Sequence, residues 1–343
     1  MRDGAADEQR TKELAKWKAW DEFIASKTNT GFMQSSWWTE FRAARGYERF
    51  GTVVKDGETI VGGAVVLKHS FTPETCYYYM DEGPVLLEDE SSAEQEEVFR
   101  AIMKFIDAKR QNEKEVVSHL RINPRWEHVP SFLTGFQEVG HYCGMPRDTL
   151  CIDLSIHEST ILSQMKPKGR YNIGVARRYG VSVIEDVSPQ GIADFLDIYA
   201  ETLARKDLGG FDPDYFRTLI TMASSLGRGS LFFAEYEGAR LATAFLVYFG
   251  RTATYLFGGS MDTHRNVMAP YLLQFEMMRK AKSLGCQFYD MFGVTPQSAS
   301  TSGWTDISTF KRKFGGQEIN LVPTLDYIYD PIAYHKWKAI EEE

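Results

Sequence analysis

The stretch that most constrains the fold of this chain runs from Tyr255 to Val294. Its pattern predicts a strand, a loop, an amphipathic helix and a second strand, in that order. The helix corresponds to APYLLQFEMMRKAKSLG and the second strand to QFYDMFG. A strand that returns to its own sheet through a helix is an elementary unit of α/β architecture. An ordinary crossover helix packed on a sheet would give the same pattern, so the helix alone does not indicate a function.

The loop that opens this helix resembles, by its position, the donor-binding loop of N-acyltransferases of the GNAT type. In that class the loop reads R/Q-x-x-G-x-G/A, and its small residues let backbone N–H groups approach a pyrophosphate at the helix N-terminus. The matching residues here are Arg265, Met268 and Pro270. Methionine replaces the first glycine, and proline has no N–H to donate. The resemblance therefore implies an acyltransferase scaffold whose donor is not acyl-coenzyme A.

The same order of elements occurs twice along the chain. A hairpin turning at Asp56-Gly57 is followed by a third strand, a helix over about 93–111 and the strand VVSHLRI. A second hairpin turns at Glu237-Gly238 and leads into the stretch described above. Two matched hairpins, each with a helix and a strand behind it, favour duplication over coincidence. The predicted fold class is α/β (α+β), with two tandem GNAT-like domains and mixed, largely antiparallel sheets.

A chain of 343 residues is expected to form two domains. We predict a first domain over residues 1–147 and a second over 148–317. The tail 318–343 carries a strand and a terminal helix, and we expect it to complete the first domain. The helix entry of the first domain, EGPVLLEDESSAEQEE, is acidic and would repel phosphates. The first domain is therefore expected to be structural or to serve the acceptor.

Composition narrows the class of protein. Hydrophobic residues make up 43% of the chain and charged residues 25%, which is typical of a globular protein. No apolar run approaches the roughly 20 residues of a membrane helix, and the N-terminus is polar, so we predict a cytoplasmic protein without a transmembrane segment. Peripheral contact with a membrane stays open. The four cysteines show no C-x-x-C spacing, which predicts reduced thiols and neither a disulfide nor a metal site.

A net charge of −8 argues against a protein that coats nucleic acid through its overall field, but local basic segments exist. Residues 159–184 contain no acidic side chain, and the loop Lys166–Arg170 opens a helix that ends near Gly180. Positive side chains at a helix N-terminus suggest a bound phosphate, although a solvated basic helix would look the same. The segment FKRKFGG, residues 310–316, predicts a strand that stacks on a base or ribose, or else an edge strand protected by lysines.

The chain shows no Ser-His-Asp order and no pair of carboxylates in an acid/base motif. Aminolysis of an already activated ester needs no protein nucleophile. It needs positioning, a neutral amine, and a cation or hydrogen-bond donor for the developing oxyanion. The absence of a nucleophile motif is therefore compatible with such a transfer.

Several segments resemble, in order, those of the Fem family of non-ribosomal peptidyltransferases (FemA, FemB and FemX), which builds peptidoglycan cross-bridges. They are QSSWWTEFR, MKPKGRYNIGVARRYGV, ETLARKDLGGFDPDYF, the block from GGS to YDMFGV, and FKRKFGG. The chain is similar to the compact FemX-like type, because no room exists between Arg205 and Tyr215 for the family's helical arm. The resemblance implies an aminoacyl-tRNA donor carrying Ala, Ser or Gly, no cofactor, and a monomer. It implies UDP-MurNAc-pentapeptide or lipid II as the acceptor.

Roles carried over from the family follow its motifs. Lys311, after Phe310, is expected to stabilise the ester carbonyl and the tRNA end, and we expect both to be catalytic. The expected acceptor contacts are Trp38, Arg42, Arg205, Tyr215 and Tyr255, and the expected tRNA contacts are Lys168, Arg170 and Lys313.

Two departures from the family's pattern bear on the acceptor. Phe211 stands where some members carry an arginine, which Arg205 is the candidate to replace, and the loop MDEGPV is acidic where relatives often carry a basic residue. The alternatives are an acyl-CoA-dependent N-acyltransferase of polysaccharide or lipid modification, and a non-catalytic protein that binds tRNA or a nucleotide sugar. A structural role is the alternative for Trp37, Trp38 and Arg42, because a helix face with such side chains covers the core in most proteins.

Overall fold

A computed structural model describes residues 16–27, 30–87, 92–139, 146–206, 209–296 and 304–341. The chain divides into two compact units, one of residues 1–144 with 321–343 and one of residues 145–320. The divisions expected after residues 147 and 317 each lie three residues from these. In the described ranges, no helix has an apolar stretch long enough to cross a bilayer.

The strands and the helices are numbered separately in chain order. The strands are β1 (Glu48–Asp56), β2 (Thr59–Thr72), β3 (Thr75–Asp81), β4 (Val85–Leu86), β5 (Val116–Asn123), β6 (Phe136–Glu138), β7 (Thr149–Asp153), β8 (Ser182–Glu185), β9 (Gly229–Tyr236), β10 (Ala239–Phe249), β11 (Thr252–Ser260), β12 (Phe288–Gly293), β13 (Gln317–Ile319) and β14 (Leu325–Ile328). The helices are α1 (residues 16–25), α2 (Ser36–Ala44), α3 (Ser92–Gln111), α4 (Glu158–Gln164), α5 (Pro167–Tyr179), α6 (Pro189–Lys206), α7 (Pro213–Ser225), α8 (Ala269–Ser283), α9 (Trp304–Lys311) and α10 (Pro331–Glu341).

The first unit is a mixed sheet with helix α3 packed on one face. Its strand order is β1-β2-β3-β5-β14-β6, with β4 paired to β2. The predicted hairpin is confirmed, since Asp56 pairs with Thr59 and Gly57 adopts φ +57° in the turn. Four apolar residues of α3 face the sheet: Val98, Phe99, Ile102 and Ile106. This apolar stripe at helical spacing buries the core of the unit.

The tail returns to the first unit, where β14 lies between β5 and β6. A buried ion pair joins it to β5. Arg121 donates two hydrogen bonds of 2.7 Å to the carboxylate of Asp326, and neither side chain is exposed to solvent. The hydroxyl of Tyr334 in α10 donates to the same carboxylate at 2.8 Å. Because a buried carboxylate must be paired and hydrogen-bonded, this contact specifies where the tail docks.

The second unit repeats the plan with the strand order β13-β7-β12-β11-β10-β9-β8. Its hairpin turns at the predicted dipeptide, where Glu237 and Gly238 adopt φ of +49° and +81° between the paired residues Tyr236 and Ala239. Two central residues with positive φ define the turn type that matches the twist of paired strands. Helix α8 is apolar around much of its circumference and packs in the core of this unit.

The two units differ where their parallel strands pair. In the first unit, β3 and β5 stay paired to their ends, from Thr75 opposite Val116 to Asp81 opposite Asn123. In the second unit, β11 and β12 pair only over residues 252–254 and 288–290, although both strands continue. The second sheet is therefore open at the carboxyl end of its parallel pair, and the first sheet is not.

The strand predicted for FKRKFGG is wrong. Residues 304–311 form α9, and Arg312–Phe314 form one turn of 3₁₀-helix before the glycines. The physical reason is the spacing of the aromatic residues. Phe310 and Phe314 are four positions apart, so a helical turn brings both rings to one side, where they lie 5.2 Å apart.

Cys76 and Cys286 carry free thiols. Cys76 and Cys286 are buried and Cys151 is partly buried. Cys143 lies outside the described residues. Burial raises the pKa of the Cys76 thiol to about 12, which is typical of an unreactive core cysteine.

Candidate active site

The opening between β11 and β12 begins beyond Asp290. Phe292 there adopts φ +60°, which a side chain larger than glycine rarely does, and its N–H donates to the Asp290 carboxylate at 2.8 Å. Strained backbone of this kind concentrates at functional positions. Tyr255 on β11 and Gly293 on β12 lie beyond the residues at which these two strands pair with each other, and both contact the same lysine.

Lys311, the last residue of α9, lies in this opening. Its ammonium group donates to the carbonyl of Gly293 at 2.8 Å and lies 5.7 Å from the centroid of the Tyr255 ring. The side chain is buried, with the residue 4% exposed. Burial lowers the pKa of Lys311 from 10.5 to about 7, and the negative charge of Asp290 partly opposes that shift. The opening thus holds an amine that gains or loses its proton near neutral pH.

Asp290 and Thr149 support this lysine, and the sequence analysis missed both. The Asp290 carboxylate is 2% exposed and accepts hydrogen bonds from the Thr149 hydroxyl and the Phe292 amide. A buried carboxylate requires such donors. One signal could have found Asp290: it is the only charged residue of the strand FYDMFG. Nothing in the sequence indicated Thr149, because its partner lies 141 residues away.

Tyr255 is the aromatic neighbour of Lys311 in this opening. A Cβ atom at Gly258 would come within 2.5 Å of the Tyr255 hydroxyl oxygen, so the glycine provides the space that this side chain occupies. Burial raises the pKa of the Tyr255 phenol, and the hydroxyl stays neutral. The opening therefore offers two kinds of hydrogen-bond donor, an amine of tunable charge and a phenol.

Phe310 has a packing role. Its ring packs edge-on against Tyr271, at 5.1 Å between centroids, and against Phe314. These contacts fix the end of α9 and hence the position of Lys311. The Lys313 ammonium donates to the Tyr271 hydroxyl at 3.0 Å. Tyr271, which the sequence analysis did not single out, therefore links α8 to the basic segment.

The two basic segments of the sequence lie together. The N–H of Lys166 donates to the carbonyl of Lys313 at 3.1 Å. A Cβ at Gly169 would come within 2.3 Å of that same carbonyl oxygen, and a Cβ at Gly315 within 2.6 Å of the Gln164 carbonyl. The loop before α5 and the turn after α9 thus pack backbone against backbone. The predicted tRNA contacts Lys168 and Lys313 are brought into one neighbourhood.

The positive charge of Arg170 at the N-terminus of α5 is stabilised by backbone carbonyls, which the sequence did not predict. Arg170 donates through Nη1 to the carbonyls of Ser163 and Met165, at the end of α4. Cations are stabilised at helix C-termini, so Arg170 has a protein partner without any bound anion. Lys168 is exposed, and no side chain in the described ranges pairs with it. Of the two, Lys168 is the one left available to a ligand.

The backbone N–H groups of the loop before α8 are hydrogen-bonded within the loop. Residues 265–267 form a turn of 3₁₀-helix, and Met268 adopts φ +57° ahead of the helix. The N–H groups of Val267, Met268 and Tyr271 each donate to a carbonyl of the loop itself. Pro270 has no N–H. A pyrophosphate at this helix N-terminus would therefore lack most of the amide donors that the helix normally offers.

Two other residues predicted to contact the acceptor lie in the second unit. Arg205 donates to the Ser260 carbonyl at 2.9 Å and lies within 4 Å of Glu201 and Asp262, so acidic neighbours already balance its charge. Tyr215 is buried and stacks on Phe211, with ring centroids 4.1 Å apart. The Phe211 ring, 48% exposed, covers Tyr215 on that side.

Residues predicted for the acceptor in the first unit fall on α2, and the predicted helix is confirmed. Trp38 is 3% exposed and packs against Phe32 and Phe41, which favours the core-covering alternative for this residue over contact with the acceptor. Arg42 lies over the Tyr47 ring at 4.1 Å. Its Nε is buried and has no hydrogen-bond partner among the residues described. Arg42 therefore retains donor capacity.

Glu82, the acidic residue of MDEGPV, is internal. It is 4% exposed, and its carboxylate accepts from the Met33 amide at 2.8 Å and from Arg125 at 3.2 Å. The departure from the family's basic residue at this loop is therefore compensated inside the first unit.

Comparison with known proteins identifies the family. The model of the FemAB family matches residues 16–130, 125–225 and 228–342. The UDP-N-acetylmuramoylpentapeptide-lysine N(6)-alanyltransferase of Weissella viridescens is 26% identical over 230 residues, which span 63% of this chain and 67% of that protein. The lipid II:glycine glycyltransferase of Staphylococcus epidermidis is 30% identical over 102 residues, 30% of this chain and 24% of that protein.

Solved structures confirm the predicted fold. The crystal structure of FemX superposes with a TM-score of 0.80 at 18% identity, covering 94% of this chain and 97% of that one. A tandem GNAT protein from the clavulanic acid biosynthesis pathway gives a TM-score of 0.55 at 10% identity, covering 92% of this chain and 95% of that one. At these identities the likeness shows the fold alone. Because the family model matches nearly the whole described chain, this protein belongs to the FemAB family.

Proposed function

We propose that this protein transfers an aminoacyl group from aminoacyl-tRNA to an amine on the stem peptide of a peptidoglycan precursor. The observation that carries the proposal is the buried Lys311 at the opening between β11 and β12. Family membership and the names of the relatives, an alanyltransferase and a glycyltransferase, support the reaction class. The precursor is UDP-MurNAc-pentapeptide or its lipid-linked form, lipid II.

In the proposed reaction, the acceptor amine attacks the ester carbonyl of the charged tRNA. A C–N bond forms, the C–O bond to the terminal ribose breaks, and the ribose oxygen takes up the proton that the amine loses. Protonated Lys311 would donate to the carbonyl oxygen as it becomes negative. A lysine whose pKa is about 7 can also accept and return a proton at neutral pH. No covalent enzyme intermediate is needed.

The donor is proposed from the two basic segments and from the loop before α8. Lys168 and Lys313 lie on segments that pack together beside Lys311, where they can meet the phosphates at the 3′ end of a tRNA. The internal hydrogen bonds of Val267, Met268 and Tyr271 argue against acyl-coenzyme A. The proposal needs no cofactor, and it carries a cytoplasmic location with it, since charged tRNA is made there. The monomeric state remains a prediction.

A transfer assay tests the proposal. The protein is incubated with tRNA charged with Ala, Ser or Gly and with either UDP-MurNAc-pentapeptide or lipid II, and the acceptor is analysed by mass. We expect one added residue with at least one donor, and loss of that product in Lys311→Met. A matched incubation with acetyl-coenzyme A should leave the acceptor unchanged. Acetylation there, or no product from any charged tRNA, would contradict the proposal.

A further inference from the structure

Helix α5 carries an exposed face that the reaction at Lys311 does not explain. Tyr171 is 63% exposed, an unusual exposure for a large aromatic side chain. The Arg178 guanidinium lies 5.7 Å from the centroid of the Tyr171 ring. Arg170 and Gly174 complete the face, since positions three, four, seven and eight apart share one side of a helix. We call these four residues the α5 face.

Gly174 is the most informative member of the α5 face. Glycine inside a helix costs roughly 0.5–1 kcal/mol relative to alanine. A Cβ at this position would meet a single neighbour within 4 Å, the flexible guanidinium of Arg178 at 3.4 Å. The packing of the described residues therefore does not require glycine here, in contrast to Gly169 on the buried side of the same helix. A glycine on an exposed, cationic and aromatic face suits the close approach of a partner's backbone.

The position of α5 in the fold indicates what kind of partner binds the α5 face. Its N-terminal end packs on Lys313, two residues from Lys311. Its thirteen residues then extend about 20 Å from that end. A molecule whose reactive end lies at Lys311 can therefore run along α5. The helix has no acidic residue, although the chain as a whole carries a net charge of −8. A local positive face on an acidic protein is complementary to a polyanion.

We propose that the α5 face is the docking surface for the acceptor stem of the donor tRNA. This inference rests on the proposed function and adds where the body of the donor binds. Arg178 would contact phosphates, and Tyr171 would pack on a ribose or base. Gly174 would let the sugar-phosphate backbone lie close to the helix.

Two variants test the surface, Gly174→Gln and Arg178→Glu. Each is assayed with the full-length charged tRNA that the wild-type protein uses, and with a CCA trinucleotide carrying the same amino acid. The trinucleotide supplies the reactive end without an acceptor stem. We expect KM for the full-length donor to rise roughly tenfold, or about 1.4 kcal/mol, with kcat and the trinucleotide reaction unchanged. In a third variant, Arg178→Ala, the slope of log KM against log salt concentration should fall in magnitude by about 1.

Stability and a matched control separate docking from folding. Gly174→Gln should keep or raise the melting temperature, because it replaces glycine inside a helix. The control is Arg100→Glu, an equal charge reversal on an exposed arginine of the first unit, which should leave KM unchanged. Unchanged KM in both α5 variants, or equal losses with tRNA and trinucleotide, would overturn the docking surface while leaving the function intact. A wild-type protein that transfers from no charged tRNA would overturn both.

Discussion

At the scale of single residues, Lys311 combines a stability cost with a chemical use. Its amine is buried beside Tyr255 and Gly293, and burial disfavours its charged form. A core position of that kind is ordinarily apolar, because burying an ionisable group is unfavourable. A charge-switching group at the open end of a parallel strand pair is therefore better explained by function than by packing.

Replacing Lys311 with methionine should stabilise the protein near neutral pH. The folded pKa of about 7 lies below the ordinary 10.5, so between these values the unfolded chain binds more protons. The wild-type free energy of unfolding should therefore rise from pH 7 to pH 9 relative to that of Lys311→Met, by up to about 2–3 kcal/mol. Denaturant unfolding of both proteins at the two pH values measures this difference. Parallel pH dependences would show that Lys311 keeps an ordinary pKa.

Asp290 is predicted to partly offset the effect of burial on the pKa of Lys311. Its carboxylate raises the lysine pKa, so Asp290→Asn should move the lysine titration in the pH profile of kcat to lower pH, by about one unit. The amide keeps a similar size and can still accept from Thr149. A role limited to folding would lower activity at every pH without moving the profile, and that result would contradict the assignment.

At the scale of elements, the site depends on two turns that pack through glycine. Gly169→Ala would place a methyl group 2.3 Å from the Lys313 carbonyl, and backbone cannot move aside as a side chain can. We expect a loss of roughly 1–3 kcal/mol in unfolding free energy, as for other overpacked contacts. Gly174→Ala on the same helix meets only the flexible Arg178 guanidinium, at 3.4 Å, and should be neutral or stabilising. Thermal or denaturant unfolding compares the two, and equal effects would contradict the packing described.

The elements also show what a sequence can predict. Both hairpins could be placed because Gly57 and Gly238 mark their turns locally. The helix that ends at Lys311 was not predicted, because aromatic and basic side chains alternate from Phe310 to Phe314 as in a strand. The spacing of four between the two phenylalanines, which is typical of a helix, was the decisive feature. Asp290 and Thr149 could not be joined from sequence, because their contact is set by the pairing of distant strands β7 and β12.

At the scale of the whole molecule, a duplicated plan has diverged. In the first sheet, the parallel strands β3 and β5 pair over their full length, and strand β14 of the tail joins the same sheet. In the second sheet, the parallel strands β11 and β12 separate after a short paired stretch, and Lys311 lies where they separate. Chemistry is therefore expected in the second unit.

The tail should be essential to the first unit. Asp326→Asn removes the charge that pairs with fully buried Arg121, and leaving a buried charge unpaired typically costs about 3–5 kcal/mol. Asp107→Asn, which breaks a partly exposed pair with Arg110, should change stability by less than about 1 kcal/mol. Equilibrium unfolding of the two variants measures both. Similar small losses would mean that the tail contributes little to this unit.

The most direct test of the account is the single-turnover rate of aminoacyl transfer from charged tRNA to the peptidoglycan precursor, measured for the wild type, Lys311→Arg and Lys311→Met. The account predicts a wild-type rate at least about a hundredfold above Lys311→Met, consistent with general acid–base and oxyanion contributions. It predicts that arginine does not restore the rate, because a guanidinium stays protonated. Equal rates in the wild type and Lys311→Met would contradict the central claim that Lys311 carries the reaction.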